Sequence, residues 1–210
     1  MRNVLLLSAS PNQGNSPGFR LAAEMVGLLQ QRFSGLTLVH RDLAAAPLSP
    51  ITEDYAGAII RRAPIEDAAF TQSEGLISEL ERSDLVFITT PIHNFTGPAA
   101  LKLWIDHVVR AHRTFENGPA GKQGLLEDRP VYLLISSGGV HRGPMARQQE
   151  FITPYLRHVL NSIGLFDLHF IYLQGMVGGE EAVATAVDCA RGQLLLEPLF
   201  ARRPRAVAMG

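Results

Sequence analysis

Residues 84–98 read DLVFITTPIHNFTGP, and the change of pattern within these residues indicates the class of fold. Its first seven residues, Asp84 to Thr90, have the β-branched and aromatic content of a strand that is covered on both faces. Gly97-Pro98 then opens a new helical pattern. The PIHNF segment, Pro91 to Phe95, is therefore predicted to be a loop at the carboxyl end of a strand. In open α/β sheets, ligands bind at this edge.

The rest of the chain repeats this order of strand and helix. The predicted strands are Asn3–Leu7, Thr37–Asp42, Asp84–Thr90, Pro130–Ile135 and Leu168–Leu173. The predicted helices are Gly18–Phe33, a stretch ending in Glu74–Arg82, Pro98–His112, Arg147–Ile163 and Glu180–Leu199. Regular alternation implies a parallel sheet with helices on both faces. Right-handed crossovers then favour a doubly wound, five-stranded α/β sheet in the order 2-1-3-4-5, in three αβα layers.

The composition is that of one globular domain. The chain has 210 residues, 46% of them hydrophobic and 19% charged, and a net charge of −1. We predict a single domain over residues 1–200 and a flexible tail over 201–210. The near-neutral charge argues against nucleic-acid binding, and the first apolar run is too short for a signal peptide or a membrane span. The lone cysteine, Cys189, fits a cytoplasmic protein, and no metal site is predicted.

The segment between Leu43 and Ser73 departs from the alternating pattern. It is too long for an ordinary connection, and it carries apolar residues that include Tyr55, Ile59 and Phe70. Two interpretations stay open. The segment is either an extra helix packed on the sheet edge, or part of a substrate pocket or a partner contact.

The loop after the first strand, SASPNQGNSPG at residues 8–18, is predicted to bind a phosphate. Ser16 is placed to cap a helix whose first residue is Pro17. Free backbone amides and the positive end of the helix dipole favour an anion there, and Ser10, Asn15 and Ser16 can add side-chain donors. The chain has neither the Gly-Lys-Ser/Thr of a Walker loop nor a GxGxxG fingerprint, which argues for a monophosphate.

Two further loops reach the same edge in the predicted strand order. In PIHNF, extended backbone after Pro91 can present amides and carbonyls to a flat heterocycle, with Phe95 as an apolar wall. In SSGGVHRG, residues 136–143, the paired glycines let the backbone approach a ligand closely. His141 would lie near the same edge.

Together these elements resemble the FMN-dependent NADH azoreductases and NAD(P)H:quinone oxidoreductases, a flavodoxin-like family. The likeness runs over nearly the whole chain, through NVLLLSAS, PIHNF, LKLWIDHVVR, ENGP and SSGGVH. The residues that match the family's flavin site are Ser10, Gly14, Asn15, Ser16, Ile92, His93, Asn94, Phe95, Ser136, Ser137, Gly138 and Gly139. Pro91 and His141 are added as cofactor-binding residues.

Three departures from the family pattern leave the choice of electron acceptor open. His93 stands where the family usually has a tyrosine. The loop after Ser10 is shorter, and the segment after Thr114-Phe115 lacks residues that help to wall the acceptor pocket.

The resemblance implies a two-electron, ping-pong transfer from NADH or NADPH through FMN to a quinone or an azo compound. It assigns the first loop to the phosphate, residues 92–95 to the flavin ring, and Ser136–Gly139 with His141 to the pyrimidine end. His141 and Asn94 are the candidate catalytic residues, and His93 and Phe115 are candidates for the substrate pocket. The alternative is a flavodoxin-type FMN electron carrier. Such carriers are usually strongly acidic, whereas this chain is close to neutral.

The helix after PIHNF carries Trp104, which is predicted to lie in the core or at a subunit contact. Asp106 and Arg110, four residues apart, are predicted to pair on one helix face. The resemblance also implies a homodimer, in which residues 55–70 and the Trp104 helix would supply much of the contact.

Overall fold

The computed structural model describes residues 1–119 and 121–201. Its strands are β1 (Asn3–Ser8), β2 (Thr37–Asp42), β3 (Leu85–Pro91), β4 (Phe115–Gly118), β5 (Gly121–Gly124), β6 (Val131–Ser136) and β7 (Leu168–Leu173). Its α-helices are α1 (Pro17–Arg32), α2 (Glu53–Ile60), α3 (Thr71–Glu81), α4 (Ala99–Val108), α5 (Ile152–Ser162) and α6 (Glu180–Leu196). The predicted tail lies outside the described residues from Arg202 onward, so it stays a prediction.

The main sheet has five strands in the order β2-β1-β3-β6-β7, and every neighbouring pair is parallel. The predicted order 2-1-3-4-5 is confirmed. The last two strands carry higher numbers only because β4 and β5 form a separate two-stranded sheet between β3 and β6. This order places the carboxyl ends of β1, β3 and β6 side by side.

Helices cover both faces of the sheet. One apolar cluster joins α1 and α6 to one face, and a second joins α3, α4 and α5 to the other. The central strands β1, β3 and β6 are buried along most of their length, which explains their unbroken apolar runs. Trp104 lies in the second cluster and is buried, so it is a core residue.

The segment between Leu43 and Ser73 forms the extra helix of the first interpretation, α2, followed by a short 3-10 turn at Ala68–Phe70. The hydroxyl of Thr52 caps α2 by accepting a hydrogen bond from the Tyr55 amide at 3.2 Å. Tyr55 and Phe70 pack edge to face, and the ring of Tyr55 also meets His107 of α4. The segment therefore covers the α4 side of the sheet. A role in a partner contact stays a prediction.

Three helices are shorter than predicted. α4 ends at Val108 instead of His112, α5 begins at Ile152, five residues later than Arg147, and α6 ends at Leu196 instead of Leu199. The carboxylate of Glu150 accepts a hydrogen bond from the Thr153 amide at 2.8 Å, which satisfies a first-turn donor of α5. Over the described ranges, no helix combines the length and apolar character needed to cross a membrane.

The predicted Asp106–Arg110 pair is wrong, because Arg110 lies beyond the end of α4 and no longer shares its face. Asp106 pairs instead with Lys102, one helical turn earlier. Arg110 is 2% exposed, bonds to the Ser73 hydroxyl at 2.9 Å, and pairs with Glu74 of α3. A buried guanidinium with these partners ties the end of α4 to α3.

The hairpin of β4 and β5 was not predicted, because its glycine-rich, polar sequence has no strand periodicity. Its strands pair antiparallel in the register Phe115↔Gly124 to Gly118↔Gly121. Its last residue, Gly124, lies directly against the backbone of Gly164, after α5. A Cβ on Gly124 would come within 2.0 Å of the Gly164 nitrogen. Tertiary packing therefore fixes this hairpin.

Candidate functional site

Three loops meet at one edge of the sheet, as the strand order requires. β1 and β3 are in register through Ser8↔Thr89, and β3 and β6 through Pro91↔Ser136. Each of these residues ends its strand or lies within two residues of that end, so the loops after the strands start at the same height. The edge therefore joins residues that lie more than 40 positions apart in the sequence.

The first loop runs from Ser10 to the start of α1. Ser10 is buried and its Oγ accepts a hydrogen bond from the Asn12 amide at 3.2 Å, so its hydroxyl proton stays free to donate. Ser16 occupies the N-cap position of α1, as predicted, but its side chain makes no cap hydrogen bond. The first-turn amides of α1 are therefore not capped by this side chain, which suits an anion.

The side chain of Asn15 is hydrogen-bonded within the first loop. Its Oδ1 accepts a hydrogen bond from Arg20 Nη2 at 2.9 Å, and Arg20 Nε also reaches the carbonyl of Gly14 at 3.4 Å. This contact orients the amide of Asn15 and leaves its NH₂ group as the donor. It also places a cationic side chain beside the predicted phosphate site, which the sequence pattern does not indicate.

The first and third loops converge around Gly18, in the first turn of α1. A Cβ on Gly18 would lie 3.8 Å from Ser136 Oγ and 3.9 Å from both Ser16 Oγ and Thr89 Cβ. Three hydroxyl-bearing residues thus lie close to one helix start: Thr89 and Ser136 come from the ends of β3 and β6, and Ser16 is the N-cap residue of α1. The sequence pattern identifies Thr89 only as a buried strand residue. A hydroxyl side chain at the carboxyl end of an apolar strand is the signal that could have found it.

The PIHNF segment forms a tight turn, whereas extended backbone was expected. The His93 amide donates to the Thr96 carbonyl at 2.8 Å, and the Thr96 amide donates back to His93 at 3.1 Å. Asn94 and Phe95 both have positive φ, at 47° and 76°, which are the backbone angles of a type I′ turn. A left-handed Phe is a strained conformation, and such strain is concentrated at functional sites.

This turn changes which backbone groups can face a ligand. The amide of Ile92 donates to the Ser136 carbonyl at 2.7 Å, and that of His93 is used within the turn, so neither is free for a heterocycle. The side chains of His93, Asn94 and Phe95 are exposed, and Phe95 is 49% exposed. The predicted apolar wall is therefore available at the rim of the edge.

The SSGGVH loop is hydrogen-bonded to the loop after β7. Gln174 Oε1 accepts hydrogen bonds from the amides of both His141 and Arg142, at 2.8 Å each. The Ser137 hydroxyl donates to the Gly139 carbonyl at 2.8 Å, so it is used within the loop. Gln174 was missed by sequence reasoning because it follows a different strand.

The two glycines of this loop serve close packing and not an unusual backbone angle, since neither has a positive φ. A Cβ on Gly138 would come within 3.0 Å of a Val177 methyl group. At Gly139 a Cβ would meet only His141 Nε2, at 3.7 Å. Gly139 is thus the more open of the two toward solvent, and His141 lies directly beside it.

Two buried polar atoms at this edge have no hydrogen-bond partner within the described part of the chain. They are Thr89 Oγ1 and His141 Nδ1. Unpaired buried polar atoms destabilise a folded chain and are rare, so each calls for an explanation. A bound ligand that carries oxygen and nitrogen atoms would supply partners to both. The residues at this edge therefore fit a flavin phosphate at one end and a polar ring edge at the other.

The two substrate-pocket candidates lie in different environments. His93 is exposed on the PIHNF turn, whereas Phe115 is 6% exposed and lies beneath Lys122 Nζ, 4.1 Å from its ring centroid. Beside the turn there is a largely apolar groove of about 270 Å³. It is lined by Thr96, Gly97, Pro98, Leu101, Lys102, Ile105, Ile152 and Tyr155. Burial raises the pKa of Tyr155 above its ordinary value.

The chain is similar to known proteins over nearly its whole length. A family described as having the flavodoxin-like fold matches residues 2–195. The chain is 59% identical to FMN-dependent NADH:quinone oxidoreductase 4 of Pseudomonas fluorescens, over 95% of this chain and 97% of that protein. It is 48% identical to FMN-dependent NADH:quinone oxidoreductase 5 of Burkholderia lata, over 99% of this chain and 100% of that protein.

The fold is also found among solved structures. An azoreductase from Bacillus anthracis superposes with a TM-score of 0.77 over 92% of this chain and 98% of that one. Its sequence is 23% identical, so this likeness bears on the fold alone.

Proposed function

Because the chain belongs to the flavodoxin-like fold family, we propose that it is an FMN-dependent NADH:quinone oxidoreductase. One observation carries the proposal. The three loops assigned to a flavin lie at one sheet edge, where two buried polar atoms have no protein partner among the described residues. The names of relatives that are 59% and 48% identical over nearly the whole chain support the choice of activity.

We assign the phosphate to the start of α1, where Ser10 and Ser16 supply hydroxyls and Asn15 an amide. A single helix start without a glycine-rich turn suits one phosphate and not a pyrophosphate, so FMN is favoured over FAD. Arg20, held on Gly14 and Asn15, adds a positive charge nearby.

The ring is assigned to the other two loops. Asn94 and Phe95 would hold one side of the ring, and the segment Ser136–Gly139 would hold its pyrimidine end. Pro91, Ile92 and His93 shape the turn that carries Asn94 and Phe95. When bound, FMN would supply the chemistry by accepting a hydride from NADH or NADPH and passing two electrons to a quinone or an azo compound. The protein's part is to fix the ring and to leave one face open.

We assign His141 a proton at Nδ1, the buried nitrogen that has no partner in the described part of the chain. From there it would donate a hydrogen bond to an acceptor at the pyrimidine end of bound FMN, where a reduced ring would carry negative charge. Gln174 fixes the backbone of His141, so the imidazole is oriented before the ligand arrives.

The decisive experiment is the visible spectrum of the purified protein, followed by chromatography of the cofactor released on denaturation. We expect a yellow protein that releases FMN, and rapid NADH oxidation when a quinone is added. Release of FAD, or no flavin binding after reconstitution, would contradict the proposal. FMN binding without NADH oxidation would favour the electron-carrier alternative.

We further propose a homodimer, supported by the apolar groove beside the PIHNF turn and by the exposed rings of Phe95 and Phe151 nearby. Trp104 is buried, and so are the groove residues Leu101 and Ile105, so α4 would contribute through the exposed groove residue Lys102. Light scattering should give twice the chain mass of 22.9 kDa. A monomer at working concentrations would contradict this and favour the carrier.

We also propose a cytoplasmic location, where NADH and NADPH are available. The exposed thiol of Cys189, the only cysteine of the chain, is suited to a reducing compartment. Fractionation of cells that express the protein tests this assignment.

His141→Ala is expected to slow flavin reduction by NADH about ten- to a hundredfold, the value of one charge-assisted hydrogen bond of about 1.5–3 kcal/mol in the transition state. FMN affinity should change little, because the phosphate end holds most of the binding contacts. Stopped-flow absorbance measures the rate. His158→Ala, at an exposed position of α5, is the matched control and should leave the rate unchanged. Equal rates in both variants would make His141 an ordinary turn residue.

A further inference from the structure

Thr89 is a buried hydroxyl residue that none of the roles above uses. It is 1% exposed, and its Oγ1 has no hydrogen-bond partner among the residues described. Its backbone is fully integrated in the sheet, where its carbonyl accepts from the Ala9 amide at 2.9 Å. The side chain is thus fixed in position while its polar atom is unpaired.

The next residue shows that this is not a general property of the strand. Thr90 is equally buried, at 1% exposed, but its Oγ1 donates to the Pro91 carbonyl at 3.1 Å. Successive strand residues point to opposite faces of a sheet. Thr90 therefore points away from α1, whereas Thr89 points toward it, as its 3.9 Å approach to a Cβ on Gly18 requires.

Thr89 and the start of α1 are two independent indications of one ligand group. The helix start offers first-turn amides that the Ser16 side chain does not cap. A Cβ on Gly18, which would lie 3.9 Å from the Thr89 Cβ, would also lie 3.9 Å from Ser16 Oγ and 3.8 Å from Ser136 Oγ. Two serine hydroxyls and the Cβ of Thr89 thus lie close to the first turn of α1, where the potential is positive.

We propose that Thr89 is a further phosphate-binding residue, whose hydroxyl donates to a phosphate oxygen of the cofactor. The inference rests on the proposed FMN binding. A phosphate offers several acceptor oxygens, and a charged acceptor makes the stronger hydrogen bond with a buried hydroxyl. Without the phosphate, burial removes the hydroxyl from water and no hydrogen bond compensates for the cost.

This assignment predicts opposite effects of Thr89→Val on binding and on folding. The variant keeps the shape and removes the hydroxyl. FMN binding, measured by quenching of flavin fluorescence, should weaken about tenfold. The flavin-free chain should melt at the same temperature or about 2 °C higher, because an unpaired buried hydroxyl is replaced by a methyl group. Thr89→Ser, which restores the hydroxyl, should bind FMN nearly as the natural chain does.

Thr90→Val is the matched control at the neighbouring position. It removes a hydroxyl that has a partner, so the flavin-free chain should melt at a lower temperature while FMN affinity stays the same. Riboflavin, which lacks the phosphate, is the second probe. Thr89→Val should leave riboflavin affinity unchanged.

Unchanged FMN affinity in Thr89→Val would overturn the inference, and so would an equal loss of riboflavin affinity, which would move the contact away from the phosphate. A lower melting temperature of the flavin-free variant with FMN affinity intact would make Thr89 a packing residue. If the natural chain itself binds no FMN, the proposed function fails instead, and the two failures are distinguishable.

Discussion

Ser16→Asp is expected to weaken FMN binding at least about a hundredfold, since a carboxylate some 5 Å from a phosphate costs roughly 3 kcal/mol at an effective dielectric constant near 20. Ser16 is buried at the N-cap of α1 and its hydroxyl makes no cap hydrogen bond. The new carboxylate can itself cap the first turn, because Asp is a favoured N-cap residue. The carboxylate would then use the first-turn amides that the phosphate needs, and its negative charge would repel the phosphate.

The same substitution separates binding from folding. We expect the flavin-free variant to keep its melting temperature, because the helix start gains a favourable charge. Ser34→Asp is the matched control, as it makes the same change at an exposed position beyond the opposite end of α1. It should bind FMN as the natural chain does. Titration with FMN and with riboflavin measures both variants, and equal FMN affinity in all three chains would remove the phosphate from the start of α1.

Gly124→Ala is expected to destabilise the chain by at least about 3 kcal/mol, at the upper end of the costs of overpacking. The added Cβ would lie 2.0 Å from the nitrogen of Gly164 and 2.3 Å from the carbonyl carbon of Ile163. Both are backbone atoms, so no side-chain rotation relieves the contact. Gly164 cannot move freely either, because its φ is +104° and a Cβ there would lie 2.5 Å from the Leu126 carbonyl oxygen.

Thermal unfolding of the variant measures this effect. The melting temperature should fall by about 6–12 °C, at roughly 2–4 °C per kcal/mol for a chain of this size. Gly27→Ala is the control, since a Cβ on this α1 residue would meet nothing within 4 Å. Alanine is also the better helix former, so this variant should be slightly more stable. If Gly124→Ala has the same melting temperature as the natural chain, the hairpin does not depend on this contact.

Local features of the sequence are enough to predict the five strands of the main sheet, their order and the edge at which the three loops meet. Apolar runs such as the one from Asp84 to Thr90 are periodic over a few residues, and a crossover between parallel strands has one favoured hand. Ser16-Pro17 is likewise a short-range signal, and α1 begins at Pro17 as expected. Strand order alone then brings the loops 8–18, 91–97 and 136–143 to one edge.

The sequence did not predict which partners several of these residues find in the folded chain. PIHNF was expected to be extended, but its bonds to Ser136 and within the turn fold it into a left-handed turn. Arg110 was assigned to Asp106 by spacing, but it bonds to Ser73 and Glu74, which lie more than 30 positions away. Both outcomes depend on partners that only the packed chain brings into reach.

Periodicity and chirality act between neighbouring residues, so they indicate which segments form the main sheet and at which edge the three loops meet. Only the packing of the folded chain produces the Gly124–Gly164 contact, the support of the His141 backbone by Gln174 and the burial of the unpaired Thr89 hydroxyl. Close packing and hydrogen bonding act over a few ångströms in space, and they do not depend on how far apart two residues lie in the sequence.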